Sequence, residues 1–216
     1  IYKSDEERIQ NMPEVLQIKT PFIVTEKVDG SSTTVAVERK AFGRFETYVC
    51  SRNVRFANID QKAYNNNDNV YWEMTIKYHL IEFLKDYLKK HKKAKWACIQ
   101  GESYGKDWQG NPLKLDRHEF AAYNFKDSLH DDPQHFNGRI GSVEGKELLA
   151  AWGIPWVPII HTDNILPDTV DELIEAATGP SSINPKVLRE GWVLRAPDGN
   201  LSFKAVSTTY LLKKKE

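Results

Sequence analysis

Cysteine and long apolar runs are both scarce in this sequence. Only two cysteines occur, Cys50 and Cys98, and they lack the spacing of a CxxC motif or of a Cys/His metal site. A disulfide framework and a zinc site are therefore not indicated, and we expect two reduced core thiols. No run approaches the roughly 18 apolar residues of a membrane-spanning helix, and no signal peptide is visible. We expect an intracellular protein of the cytoplasm, nucleoid or nucleus, without a membrane partner.

Net charge is absent as well, because 30 basic residues balance 30 acidic residues. Composition therefore gives no sign of a polyanionic partner, and any basic surface for nucleic acid must be local. The apolar share of 40% and the charged share of 28% are ordinary for a soluble globular protein. The 216 residues suit one large domain or two small ones. We predict a single domain over 1–216, with a lead-in segment at 1–21 and a tail at 207–216, of which the last residues, 213–216, are solvated.

Short, partly alternating apolar segments predict antiparallel sheets that are rich in hairpins. Strands are predicted over 22–29, 33–38, 45–50, 96–102, 119–125, 156–160, 189–195 and 201–206. Apolar residues at spacings of three and four predict one helix from Tyr71 to about Lys90. Ser142 predicts the start of a short helix, and Asp168 with Asp171 predicts another. The predicted fold class is α+β, with antiparallel sheets flanked by helices.

One lysine stands at the end of an otherwise apolar strand, in the stretch Glu26-Lys27-Val28-Asp29-Gly30. A solvated lysine has a pKa of about 10.4, so it is a cation at neutral pH and not a nucleophile. Burial and nearby positive charge lower that pKa and convert such lysines into covalent catalysts. Lys27 is therefore either a nucleophile or a lysine that reaches solvent from a strand end, and these residues alone leave both open.

Four more charged residues stand at the ends of predicted strands: Arg52, Glu102, Glu190 and Lys204. Each also has a local explanation, such as a surface ion pair for Arg52, a turn cap for Glu102, or a cross-strand pair between Glu190 and Arg195. Together they describe a site for a nucleoside triphosphate. In such a site cations hold phosphates, acids bind ribose hydroxyls and a divalent metal, and an aromatic ring stacks on the base.

The order of these segments resembles that of the covalent nucleotidyltransferases, the superfamily of ATP-dependent ligases and messenger-RNA capping enzymes. The matching segments are Lys27-Val28-Asp29-Gly30, Ser51-Arg52-Asn53, Gly101-Glu102, Phe120 to Phe125, Glu190-Gly191-Trp192-Val193 and Phe203-Lys204. Ser51-Arg52-Asn53 and the stretch 189–195 are most similar to RNA ligases that seal nicked duplexes. The stretches 4–11 and 202–207 are similar to a sub-branch that carries an OB domain ahead of the transferase domain. The resemblance thus implies a nucleotidyltransferase domain excised from a longer ligase.

The resemblance also implies a role for each matched residue. Lys27 would attack the ATP α-phosphate and become lysyl-AMP, while Lys204 contacts that phosphate and orients the pyrophosphate. Glu190 would hold Mg²⁺ or Mn²⁺ through water, with Asp29 as a helper. The implied nucleotide-binding residues are Glu26, Lys27, Arg52, Glu102, Tyr123, Arg195 and Lys204. Of these, Arg52 would contact the ribose or phosphate, Glu102 the ribose hydroxyls, and Tyr123 the adenine face.

AMP would then pass to an RNA 5′-phosphate and be displaced by a 3′-hydroxyl, so the implied partners are ATP and RNA or an RNA-containing nicked duplex. A metal and two cations at the α-phosphate would also favour the neutral amine of Lys27. Ser202 departs from the pattern, since the last motif often has a lysine there; the OB-bearing sub-branch shares this departure. Three alternatives stay open: a DNA ligase, a capping guanylyltransferase, and a degenerate module that only binds nucleic acid.

Overall fold

The computed structural model describes residues 6–56, 69–130, 139–197, 199 and 201–214. The strands of that part, in chain order, are β1 (Glu7–Arg8), β2 (Phe22–Lys27), β3 (Ser31–Arg39), β4 (Phe45–Cys50), β5 (Arg55–Phe56), β6 (Trp96–Gly105), β7 (His118–Asp127), β8 (Ile159–Asn164), β9 (Gly191–Arg195) and β10 (Ser202–Val206). The α-helices are α1 (Val70–Lys77), α2 (Leu80–Lys90), α3 (Ser142–Ala150), α4 (Val170–Ala177) and α5 (Thr208–Lys213). None of these described helices is long and apolar enough to cross a membrane.

The strands form two five-stranded sheets. Sheet A has the order β1-β10-β9-β2-β8, and sheet B has the order β5-β4-β3-β6-β7. All neighbouring strands run antiparallel except β1 and β10, which run parallel. The predicted α+β class with antiparallel sheets is therefore confirmed. The chain crosses from sheet A to sheet B over residues 28–30, directly after Lys27.

Each sheet contributes to its own apolar cluster. Leu80, Leu84 and Leu88 recur every four residues on α2, so they share one helix face, and all three are fully buried in the sheet B cluster. Full burial of a leucine side chain stabilises a fold by about 1.5–3 kcal/mol. In the sheet A cluster, the rings of Phe22 and Phe203 meet edge to face with their centroids 5.7 Å apart.

The predicted helix from Tyr71 to Lys90 is two helices, because His79 adopts a left-handed backbone with a φ of 52° between α1 and α2. Asn69 caps α1 through its side chain. The polar, asparagine-rich stretch 57–70 predicts a loop, and its residues 57–68 lie outside the described residues. The predicted strand at 156–160 also differs, since the observed strand β8 spans Ile159–Asn164.

The two predicted short helices are present as α3 and α4, but their capping residues differ from the prediction. Gly141 is the cap residue of α3, and the Ser142 hydroxyl lies within hydrogen-bond distance of Arg195 instead. Thr169, not Asp168, caps α4: its hydroxyl accepts from the Glu172 amide at 3.3 Å, and the Glu172 carboxylate accepts from the Thr169 amide at 3.1 Å. The threonine hydroxyl accepts from the amide three residues later, and the acidic side chain of that residue accepts from the threonine amide in return. This reciprocal pair is a capping box.

The described parts of the lead-in and of the tail form regular structure. Ser4 and the acids after it predict a helix start that Pro13 ends; Ser4 lies outside the described residues, and Glu7–Arg8 form β1, which joins sheet A. Pro13 instead begins a 3-10 helix, since the N–H that proline lacks has no partner at the first helical position. In the tail, residues 207–213 form α5 and its cap and bury Tyr210 to 8% exposure, while Lys213 and Lys214 are exposed as predicted.

Candidate active site

A cavity of about 710 Å³ lies where the two sheets meet. The residues that the sequence predicted for the site all line it, apart from Glu190. They are Glu26, Lys27, Asp29, Arg52, Glu102, Tyr123, Arg195 and Lys204. Residues that are up to 178 positions apart in the chain therefore share one cavity, from Glu26 to Lys204.

The Lys27–Glu190 pair is set by strand register. Lys27 ends β2 and lies opposite Gly191, the first residue of β9, so the preceding Glu190 comes beside the lysine. The Lys27 Nζ donates to Glu190 Oε2 at 2.7 Å, and the two side chains are 25% and 15% exposed. A cross-strand pair between Glu190 and Arg195, the local alternative, is not formed. Gly191 is required there, because a Cβ atom would lie 2.1 Å from the Ala205 carbonyl oxygen.

The surroundings of Lys27 are acidic. Burial acts to lower the pKa of Lys27, but Glu190, Glu102 and Asp29 outweigh it and raise that pKa above its ordinary value. The expectation of a positive field that lowers the pKa is therefore not met by the chain's own residues. By itself the chain holds Lys27 as an ammonium ion, clamped by Glu190.

Glu102 is the third charged group at this point. Burial, together with the nearby Glu190 and Asp29, raises its pKa to about 8, against the opposing effects of Lys27 and the Gly30 amide. Gly30 makes this closeness possible, since a Cβ atom there would lie 2.4 Å from the Ser103 carbonyl oxygen. The turn after Lys27 thus packs directly on β6.

The carboxylate of Asp29 is held by the last helix. Tyr210 donates its hydroxyl to Asp29 at 2.6 Å, and the ammonium group of Lys214 contacts the same oxygen. Ser207 caps α5 through its hydroxyl and donates its amide to the Glu190 carbonyl at 2.9 Å. The sequence interpretation missed this contact, although Ser207 ahead of Tyr210 and Leu211 is a recognisable helix start.

Tyr123 presents its ring from sheet B. Its hydroxyl and that of Ser32 lie 2.8 Å apart, and its carbonyl accepts from Arg195 at 2.9 Å. The neighbouring Asn124 is fully buried and donates to Gln100 at 3.1 Å, and it does not line the cavity. Arg195 is only 4% exposed and lies 3.5 Å from Glu6, a cavity residue that the sequence interpretation also missed.

The remaining predicted site residues differ in how far their side chains are buried. Arg52 is exposed where β4 ends, and Lys204 is partly buried in β10 opposite Val193. Glu26 is 2% exposed, and its carboxylate accepts from the Ser181 hydroxyl and from the Ser182 amide at 2.7 Å. Glu26 is thus anchored by the 181–182 turn while it lines the cavity.

The same carboxylates are the candidate ligands for a divalent metal ion. Within the described ranges, no group of three or more His, Cys, Asp or Glu side chains is placed to hold a metal ion directly. The carboxylates of Glu190 and Asp29 nevertheless act on the ammonium of Lys27, and such oxygen ligands fit a divalent cation held through water. Asp29 as a metal helper stays a prediction, since its carboxylate here contacts Tyr210 and Lys214.

Comparisons with known proteins agree with this geometry. A family model described as RNA ligase matches residues 20–211. A search of the curated proteins found no match. Among solved structures, a Naegleria gruberi RNA ligase variant with ATP and Mn is 31% identical, with a TM-score of 0.80 over 100% of this chain and 58% of that chain.

Two further structures of the Naegleria gruberi RNA ligase give the same result. The enzyme with PPi, and a variant with AMP and Mn, are each 31% identical and have TM-scores of 0.79. Each match covers 100% of this chain and 58% of the solved one. This chain therefore spans less than two thirds of the length of these structures.

Proposed function

This chain belongs to the RNA ligase family, and on that premise we propose that it is an ATP-dependent RNA ligase that works through lysyl-AMP. One observation carries the proposal. Lys27 lies in a cavity of about 710 Å³, paired at 2.7 Å with a carboxylate, and further charged groups reach the same cavity from other strands. The matched Naegleria structures contain ATP and Mn, AMP and Mn, or PPi; ATP is the substrate of this first step and PPi is its leaving group.

In the proposed first step the Lys27 amine attacks the α-phosphorus of ATP. A nitrogen–phosphorus bond forms, the bond to the oxygen that bridges the α- and β-phosphates breaks, and pyrophosphate leaves with that electron pair. The ammonium must first lose a proton, and its raised pKa makes this the demanding part of the step. Glu190 accepts the Nζ hydrogen bond at 2.7 Å, so it fixes the direction of the lysine.

A divalent metal, held through water by Glu190 and on our prediction helped by Asp29, would supply the positive charge that lowers the pKa of Lys27 and offsets charge on the α-phosphate. Lys204 is on the neighbouring strand β10, where its ammonium can contact the same phosphate and orient the leaving group. Together these groups favour the transition state over the bound substrate.

The nucleoside part of ATP is proposed to lie against sheet B. Tyr123 stacks on adenine, and its hydrogen bond with Ser32 fixes the ring. Glu102 accepts from the ribose hydroxyls, and Arg52 at the cavity mouth contacts the ribose or phosphate. Arg195 and Glu26 complete the nucleotide site: Arg195 supports the backbone of Tyr123, and Glu26 lines the cavity beside Lys27.

In the second and third steps AMP passes to an RNA 5′-phosphate, and a 3′-hydroxyl displaces it to join the strands. The proposed polymer partner is RNA or an RNA-containing nicked duplex. An OB domain in the full-length protein stays a prediction. The proposal also places the reaction inside the cell, a compartment that suits the unpaired thiols of Cys50 and Cys98.

The test is transfer of AMP to the protein. The chain is incubated with ATP labelled at the α-phosphorus and with Mg²⁺ or Mn²⁺, and we expect label that stays with the protein on a denaturing gel. Lys27→Arg keeps a cation beside Glu190 but has no amine nucleophile, so it should take up no label. Lys186→Arg, at an exposed lysine that does not line the cavity, should label like the wild type.

Other outcomes select among the alternatives. Equal labelling of wild type and Lys27→Arg would overturn the proposal. Label from GTP instead of ATP would indicate a capping guanylyltransferase, and sealing of an all-DNA nick without any RNA at its 3′ side would indicate a DNA ligase. No label, and no rise of the melting temperature with ATP, would indicate a module that only binds nucleic acid.

A further inference from the structure

A second group of cations lies at the opposite end of sheet B from Lys27. We call it the distal basic surface, and its members are Lys40, Arg44, Lys89, Lys90, Lys92, Lys93 and Lys95. They come from two separate segments, the connection between β3 and β4, and the last turn of α2 with the connection that follows it to β6. All seven are exposed. The surface is therefore built by the fold and not by one run of sequence.

Arg39 joins the two segments. Its amide donates to the Lys95 carbonyl at 2.7 Å, and its guanidinium donates to the Leu88 carbonyl and, at 3.4 Å, to the Ala94 carbonyl. Arg39 also pairs across the sheet with Phe45. These contacts hold the start of β6 and the turn at 40–44 beside each other.

Acidic residues balance only part of this surface. Lys40 pairs with Glu38 at 2.6 Å and with Glu46 at 3.4 Å, and Lys90 pairs with Asp86 at 2.8 Å. The other cations, Arg44, Lys89, Lys92, Lys93 and Lys95, make no ion pair with any residue that the structure describes. On the side of His91 the surface is bounded by Glu144 and Glu147 of α3.

Helix stability explains only two of these cations. Lys89 and Lys90 occupy the last turn of α2, where positive charge suits the helix dipole. Lys92, Lys93 and Lys95 come after the helix ends, and Lys40 with Arg44 belongs to another element. In a chain of zero net charge, such a local excess of positive charge creates a field that attracts polyanions.

We propose that the distal basic surface binds the phosphate backbone of the RNA duplex arm that extends from the junction on which Lys27 acts. This inference rests on the proposed function. Strand β3 starts beside the Lys27 turn at Ser31 and ends at Arg39. At about 3.3 Å per residue these ends are about 26 Å apart. An A-form RNA duplex advances about 2.8 Å per base pair, so it covers that distance in about nine base pairs.

The distance gives the proposal a sharp test. Nicked RNA is prepared with arms of about 15 or about 5 base pairs, the short arms closed by hairpin loops, and its affinity is measured by fluorescence anisotropy over a salt series. The test variant is Lys92→Gln/Lys93→Gln. The control variant, Lys19→Gln/Lys186→Gln, also removes two exposed lysine charges, but at positions outside this surface.

For long arms, we expect the test variant to bind about fivefold more weakly, with a slope of log K against log salt that is shallower by about 1.8, since each phosphate contact contributes about 0.9. Short arms should bind the test variant and the wild type alike, because they do not reach the surface. The control variant should bind both RNAs like the wild type.

No loss of affinity for long arms, or an equal loss for both arm lengths, would overturn the proposal; in the first case the surface is either merely solvated or serves an acidic protein. Transfer of AMP to the chain is measured in the same samples. It should be unchanged in the test variant. If the wild type itself takes up no AMP, the proposed function fails, whatever the RNA affinities show.

Discussion

The two sheets contribute different chemistry to the candidate site. Sheet A supplies the Lys27–Glu190 ion pair and Lys204, all within three neighbouring strands. Sheet B supplies Tyr123, whose hydroxyl lies beside that of Ser32. It also supplies Glu102, whose pKa of about 8 keeps it largely uncharged at neutral pH. In the proposed function, sheet A therefore acts on the phosphates and sheet B recognises the nucleoside.

The difference has a physical origin. In sheet A the strand order β10-β9-β2 brings together segments from both ends of the chain, and Gly191 allows β9 and β10 to approach closely beside Lys27. Charge is concentrated there, so changes in sheet A should lower the rate of chemistry. In sheet B the cavity wall is largely hydrogen-bonded and aromatic, so changes there should lower the affinity for ATP.

The largest expected effect comes from Glu190→Gln in sheet A. It removes the charge that orients Lys27 at 2.7 Å and that would hold the metal. We expect formation of lysyl-AMP to slow about 100-fold, as when one charged partner is removed from a catalytic site, because this loss outweighs the easier deprotonation of Lys27. Affinity for ATP should stay within about threefold, because the nucleoside contacts are in sheet B. Single-turnover labelling and calorimetry measure the two quantities separately.

The same variant should lower the pKa of Lys27, since Glu190 raises that pKa and burial then prevails. The pH dependence of Lys27 modification by an amine reagent, read by mass spectrometry, reports this change. Glu172→Gln, at an acid in the cap of α4, is the control and should leave both measurements unchanged. A variant that loses ATP affinity but keeps its rate would contradict the assignment of chemistry to sheet A.

A smaller effect is expected from Tyr123 in sheet B. Tyr123→Ala should raise the KM for ATP about tenfold, because stacking of a base on an aromatic ring contributes about 1–3 kcal/mol. The rate at saturating ATP should change little. Tyr123→Phe keeps the ring and loses only the contact with Ser32, so its KM should stay near that of the wild type. If Tyr123→Phe raises the KM as much as Tyr123→Ala does, the hydroxyl group and not the stacked ring provides the affinity for ATP.

The same contrast shows how much of the molecule was predictable from sequence. The fold class and the strands that carry Lys27, Glu102 and Lys204 were confirmed, because apolar runs and turn residues specify short antiparallel strands locally. The close approach of Lys27 and Glu190 could not be derived from local pattern, since it depends on the register between β2 and β9. Only the resemblance placed both residues in one site.

Charge effects were the least predictable part. The positive field expected at Lys27 requires a metal and two cations at the α-phosphate, whereas the chain by itself places carboxyl groups around the lysine. The sequence did not predict these acidic surroundings, because a pKa depends on distances between groups that are remote in the chain. The contact of Tyr210 with Asp29 was missed for a related reason: a tail rich in lysine has the composition of a solvated segment. That Tyr210 is buried becomes evident only in the folded chain, where Asp29 accepts its hydroxyl hydrogen bond.

The smallest expected effect tests where the two sheets meet, at Glu102. Its pKa is raised from 4.5 to about 8 in the folded chain, first by burial and then by Glu190 and Asp29. Between these two values the folded state keeps a proton that the unfolded state releases, so the free energy of unfolding falls as pH rises. Glu102→Gln has no proton to lose there. We therefore expect its melting temperature to equal that of the wild type near pH 4.5 and to exceed it by about 2–4 °C above pH 8.

Calorimetry of both proteins across this pH range, without nucleotide or metal, measures the difference. Glu14→Gln, at an exposed acid of the lead-in, controls for the loss of one carboxyl group and should show no growing difference. A constant offset between Glu102→Gln and the wild type would mean that folding leaves the pKa of Glu102 unchanged. A difference that grows with pH instead shows that folding raises this pKa, through burial first and then through the carboxylates of Glu190 and Asp29, which outweigh the opposing charge of Lys27.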